Sequence, residues 1–220
     1  AIGFATFGDV VAGDLSSGTG VMTLVGGDAT IASITASGGR VYHGDAQMFI
    51  DAGGIDDFDP NLVLAEPPLQ SGGSYTVTGA ISTGQLQVAA AAISTGNIDA
   101  NSVSLGAAGS NTTGNVFAFD NVEMDAGGSI LTGDILAGSI DLLAGADITT
   151  GDLSTEIIGQ FGEGITTFLF PGASITLEAG GDIGTGNINS IDGVYAAAGG
   201  AISTGAIDAV DFVEAHGIGG

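Results

Sequence analysis

Two groups of side-chain oxygens are spaced as a cation site could require. In Asp57-Phe58-Asp59-Pro60-Asn61, oxygen donors stand at alternate positions, as at the start of a calcium loop. The next position of such a loop is glycine; here it is Leu62, and Glu66 is the nearest following glutamate. A plain acidic turn is the competing reading and the better one for these residues. Asp134 and Asp152 form the second group. They hold the same place in successive copies of a repeated tag, and Asn97 and Asn115 hold that place in the copies before them. If the copies stack about 5 Å apart, neighbouring carboxylates repel by ~0.8 kcal/mol in water and by a few kcal/mol at lower effective dielectric. Calcium between them would relieve the repulsion. A solvated polar edge interleaved with asparagine needs no ion and is favoured. The Gly-Gly-Asp corners of the chain also lack the Gly-Gly-x-Gly-x-Asp pattern of calcium-binding nonapeptide repeats. No cofactor is required by this reading, and calcium is the one ion the acidic residues invite.

Catalysis has little to work with, and the chain is read as a non-enzyme. His43 and His216 are its two histidines, it has no cysteine, and no Gly-x-Ser-x-Gly motif occurs. A carbohydrate-active enzyme acting on acidic polysaccharide would need basic side chains, and Arg40 is the only one present.

The 19 Asp and 6 Glu leave a formal charge of −24. Phosphate backbones and anionic membrane surfaces are bound through clustered Lys and Arg, so neither is expected as a partner. No apolar run approaches the roughly 18 residues of a membrane-spanning helix. The charge favours solubility, divalent cations and basic partners. Without cysteine there is no disulfide framework.

Repetition dominates the chain, and it specifies what must position these residues. The tag Ile-x-Thr-Gly-x-Ile appears at residues 93–98, 130–135, 148–153 (ending in Leu), 183–188 and 202–207, with a degenerate copy at 111–116. The tag glycines at 96, 114, 133, 151, 186 and 205 are spaced by 18, 19, 18, 35 and 19 residues. The spacing of 35 is either one repeat with extra residues or two imperfect repeats. Ile, Val and Thr dominate the tags, and the local pattern alternates with period two, which predicts short strands. The 41 glycines would each cost a helix about 1 kcal/mol relative to alanine, but they suit corners because glycine accepts positive φ. A hydrophobic fraction of 44% argues against disorder.

One such repeat cannot bury its own inner face, whereas stacked repeats bury Ile on Ile and Ala on Ala. The expected fold is all-β: a right-handed parallel β-helix (β-solenoid), one domain over 1–220, with rungs of about 18–19 residues. At the interstrand spacing, roughly nine rungs make a rod of about 45 Å. The tag isoleucines should point inward, and the threonines before the tag glycines should satisfy corner hydrogen bonds. Regular threonine arrays can bind ice, but only one threonine recurs per tag. Two stretches break the pattern, at about 41–75 (three of the four prolines, Tyr42, Phe49, Phe58) and 154–173 (Phe161, Phe168, Phe170, Pro171). Insertions in solenoids project as loops and often carry binding. The competing and favoured reading is that these aromatics cover a flank of the rod.

Segments such as Ser174-Ile175-Thr176-Leu177-Glu178-Ala179-Gly180-Gly181-Asp182-Ile183 and Asp141-Leu142-Leu143-Ala144-Gly145-Ala146-Asp147-Ile148 resemble the repeats of filamentous-haemagglutinin-type adhesins. Those are secreted bacterial proteins whose 19-residue repeats form a right-handed parallel β-helix. The resemblance covers about three quarters of the chain. It implies a secreted or cell-surface, extracellular location, a long fibre, and binding to a host-cell, surface or glycan receptor. It carries over no catalytic residue.

The chain opens Ala1-Ile2-Gly3-Phe4-Ala5-Thr6-Phe7 without a basic leader region, so it reads as a mature protein or a segment of a longer one. Neither end resembles a charged cap. Open rung ends expose unpaired strand edges, so both are expected to be covered, by the same chain continuing or by another copy docking end to end. The leading functional expectation is a structural or adhesive stalk or passenger segment. The alternative is a subunit of a self-assembling filament, and a β-helix polysaccharide-active enzyme is the least favoured reading.

Overall fold

A computed structural model describes residues 1–51, 68–155, 157–161, 164–168 and 173–218. It is a parallel β-solenoid with three faces. On the first face, strands stack through Ile2, Val21, Val41, Leu86, Val103, Val122, Ile140, Ile175, Val194 and Val213, each paired with the next. The second stacks Val10, Ala29, Tyr75, Ile93, Asn111, Ile130, Ile148, Ile183 and Ile202. The third stacks Leu15, Ile34, Ile81, Ile98, Val116, Ile135, Leu153, Ile188 and Ile207. The rod therefore makes about ten turns, all with parallel pairing, as the repeat predicts.

These residues line one interior. Ile93, Ile130, Ile148 and Ile183 are buried, and Ile202, on the last turn, packs half-buried against the same core. Burying a side chain of this size contributes about 1.5–3 kcal/mol relative to leaving it exposed. The tag is thus one corner with a strand on each side. Its first isoleucine faces inward on the second face, Thr-Gly-x turns the chain, and its second isoleucine faces inward on the third.

The 35-residue spacing is one rung with extra residues. Ile140 pairs with Ile175 and Leu153 with Ile188, so the rung closes across the interruption. Within it, Ile157–Phe161 and Gly164–Phe168 form an antiparallel hairpin, the one antiparallel pair among the described residues.

The first interruption is narrower than 41–75. Val41, Tyr42, His43 and Gly44 are ladder residues paired with the rung below, and Ser74–Val77 is again a ladder strand. Tyr75, at the edge of the expected interruption, occupies an inward position of the second face and is fully buried. Tyr42 lies on the outward side of the first face and is also buried, because the short helix Gln47–Asp51 folds back over it and places Met48 Sδ 3.5 Å from its hydroxyl.

Candidate functional site

The corner between the second and third faces is built by the tag itself. Each tag threonine sits inside the turn and donates its hydroxyl to the carbonyl of the following glycine: Thr95 to Gly96 (3.1 Å), Thr132 to Gly133 (2.8 Å), Thr150 to Gly151 (2.9 Å). These threonines are buried and satisfy the corner, as expected. The outward rank is instead the variable tag residue: Ser94, Thr112, Leu131, Thr149, Gly184 and Ser203.

Asp134 and Asp152 do come together on adjacent rungs. Asp134 Oδ1 accepts the backbone N–H of Asp152 at 2.9 Å. The same bond runs along the edge: Asn97 to the N–H of Asn115 (3.0 Å), Asn115 to Asp134 (3.1 Å), Asp152 to Asn187 (2.6 Å), Asn187 to Ala206 (3.0 Å). Each Asp or Asn thus caps the amide one rung further along, and hydrogen bonds to a charged acceptor contribute about 1.5–3 kcal/mol. The Gly-Gly-Asp corner follows the same rule. Asp147 Oδ1 accepts from Asp182 N (2.8 Å), Asp182 Oδ1 from Ala201 N (2.8 Å), and near the start Asp9 Oδ1 from Asp28 N (2.9 Å). Six of the 25 acidic residues (Asp9, Asp28, Asp134, Asp147, Asp152 and Asp182) thus serve backbone amides at corners, a use that spacing alone did not reveal.

The same ladders explain the corner glycines. Positive φ among the described residues is confined to Gly20 and Gly38, so the tag glycines are not there for left-handed backbone. A Cβ on Gly133, Gly151 or Gly186 would fall on Oδ1 of Asn115, Asp134 or Asp152. The glycine makes room for the acceptor of the rung beneath.

Asp57, Asp59 and Asn61 lie outside the described residues. Among the described residues, no cluster of three or more His, Cys, Asp or Glu side chains is arranged to hold a metal ion.

His43 sits inside the solenoid, in register with Val88, Leu105 and Met124 of the following rungs. Its Nδ1 is 2.8 Å from Thr23 Oγ1 and its Nε2 is 3.2 Å from Ser71 Oγ, which in turn donates to Gly73 O (3.1 Å). The imidazole leans on the Tyr75 ring at a centroid distance of 4.5 Å. Burial pushes its pKa down from 6.5 to about 4, because the interior disfavours the cation. The Tyr75 phenol is pushed up for the same reason and has no hydrogen-bond partner. Thr23, His43 and Ser71 are all at most 1% exposed, so this is an interior hydrogen-bond chain with no access for substrate in this conformation. His216 is exposed and lies 2.8 Å from the Glu214 carboxylate, an exposed contact worth little.

A shallow groove of about 380 Å³ near the last turns is lined by Leu143, Glu178, Ala179, Ala197, His216 and Ile218. No helix is long and apolar enough to cross a membrane among the described residues. Comparison with family models, curated proteins and solved structures finds nothing that matches this chain.

Proposed function

We propose that this chain is a structural or adhesive segment of an extracellular β-solenoid, a stalk or passenger portion of a large secreted bacterial surface adhesin. The observation that carries the reading is the three-face ladder, which closes across both interruptions and whose recurring side chains serve corners and core. Interior isoleucines, buried tag threonines and corner carboxylates all serve stacking, which suits a load-bearing rod. The interrupted rungs and the groove around Leu143, Glu178 and Ala197 are the places where a host-cell, surface or glycan receptor would dock. Immunoblotting of cells and culture supernatant with an antibody to this chain tests the proposal. A surface-exposed or released species of several hundred kilodaltons is the expected result, and a cytoplasmic species near 21 kDa would refute it.

A second reading is a filament subunit that docks end to end. Phe7, Val213 and Ile218 are exposed apolar residues on the outermost described turns, surface that a second copy would cover. Sedimentation of the purified 220-residue chain separates the two readings. Concentration-dependent growth into rods supports the filament, and a monomer at high concentration supports the stalk.

A further inference from the structure

We propose that His43 and Ser71 form a latch at the base of the 45–70 insertion that acid releases. The rung leaves its ladder after Gly44, which pairs with Leu24, and rejoins it at Ser71, whose N–H donates to Ala89 O at 3.1 Å. Ser71 therefore takes up the ladder where Gly44 leaves it, with Asp45 at the departure and Leu69 at the return. Among the described residues, three contacts cross the base: Asp45 N to Leu69 O (2.8 Å), Leu69 N to Met48 Sδ (3.1 Å) and His43 Nε2 with Ser71 Oγ (3.2 Å).

As a neutral ring, His43 completes a chain with every group paired: Thr23 hydroxyl to Nδ1, Nε2–H to Ser71, Ser71 hydroxyl to Gly73 O. As a cation it keeps hydrogen-bond acceptors but finds no opposite charge among the described residues. The groups that face it are the Thr23 hydroxyl from the rung below, the Ser71 hydroxyl from the rejoining segment, the Tyr75 phenol from the second face, and Val88 in register above. A buried charge without a partner draws water or leaves its site. Thr23 and Val88 belong to strands paired along the rod, whereas Ser71 opens a segment that enters the ladder there. The least costly way to hydrate the imidazolium is to lift residues 69–71 and, with them, the base of the insertion. The open form binds a proton at the ordinary histidine value and the closed form only near pH 4. Opening therefore gains as pH falls through that interval.

Met48 reports the event, because its sulfur seals the base, lying 3.1 Å from Leu69 N, and is buried. Met124, buried in the core of the sixth rung, is the control. Peroxide oxidation of each methionine in the full chain is followed by mass spectrometry from pH 7.5 to 4.5. The expected result is a several-fold rise in the Met48 rate with Met124 unchanged, and no Met48 rise in His43→Leu, which places the residue of Leu105 at that position. An unchanged Met48 rate in the parent, a parallel rise of Met124, or an equal rise in His43→Leu overturns the latch. If His43→Leu does not fold, Ser71→Ala replaces it. That variant keeps the histidine but removes the contact, and Met48 should then oxidise faster than in the parent already at pH 7.5; an unchanged rate overturns the proposal.

Discussion

Asp134 Oδ1 occupies the space where a Cβ on Gly151 would lie, one rung along the corner. That single oxygen also accepts the Asp152 amide at 2.9 Å, so acceptor and glycine are two halves of one joint. Gly151→Ala should therefore destabilise the rod by about 1–3 kcal/mol, in the range for a clash that the backbone must absorb. Combining it with Asp134→Ala removes the oxygen and should restore part of that loss. The Asp134 N and Gly133 C atoms stay 3.0–3.1 Å from the added carbon, so recovery is incomplete. Urea unfolding of the four proteins measures the coupling. Strict additivity would show that the joint does not exist.

The carboxylate at a corner acts as an acceptor, and its charge is secondary. Asp152→Asn keeps Oδ1 for the Asn187 amide, now at 2.6 Å, and removes one of two neighbouring charges. Its melting temperature should match or exceed that of the parent. Asp152→Ala leaves that amide without its side-chain acceptor and should cost about 1–3 kcal/mol. Calorimetry with millimolar calcium and with chelator tests the ionic alternative at Asp134 and Asp152. A parent melting temperature that climbs with calcium, and an Asp152→Asn protein that does not respond, would assign the corner to the ion.

The core was legible in the sequence because its signal is periodic: Ile148 and Leu153 announce inward positions on two faces by recurring with the tag. The corners were legible as corners but not in their mechanism. Gly151 reads as a positive-φ residue until the rung beneath is placed, because its constraint comes from a residue 17 positions away in sequence. Tyr75 illustrates the opposite failure. It lies at the edge of the stretch expected to be an insertion, yet it fills the inward slot that Ile93 takes one rung later, stacked on Ala29. The His43 chain left no trace in the sequence, since its members come from three rung segments at separations of 20 and 28 residues.

Global stability should fall with acid on account of His43. Its native pKa is depressed from 6.5 to about 4, so below pH 6.5 the unfolded chain binds the proton and the native state does not. The contribution is fully present above pH 6.5 and is lost as pH falls through that window, by about 3 kcal/mol in total. Urea midpoints at pH 7.0, 5.5 and 4.5 measure it. The difference between parent and His43→Leu isolates the histidine from the carboxylates, which titrate in both. Parallel pH profiles for the two proteins would show that His43 ionises in place without penalty.

Asn111 stands in the isoleucine ladder of the second face, between Ile93 and Ile130. It is fully buried. Its amide nitrogen donates to Leu105 O (3.3 Å) and Asp125 O (3.1 Å), while its Oδ1 has no partner. A buried acceptor left unpaired costs about 1–3 kcal/mol, and an isoleucine at the same place would add apolar burial against two isoleucines. Against this stand the two amide bonds, one of them long, to carbonyls of the adjoining first-face strands. The unpaired oxygen and the lost apolar contact outweigh them, so Asn111→Ile should stabilise the rod by about 1–2 kcal/mol. The urea midpoint of the variant should rise at constant slope. A fall would mean that the amide ties the first and second faces together at this rung more strongly than apolar stacking can, and that the polar break in the ladder is a fastening point.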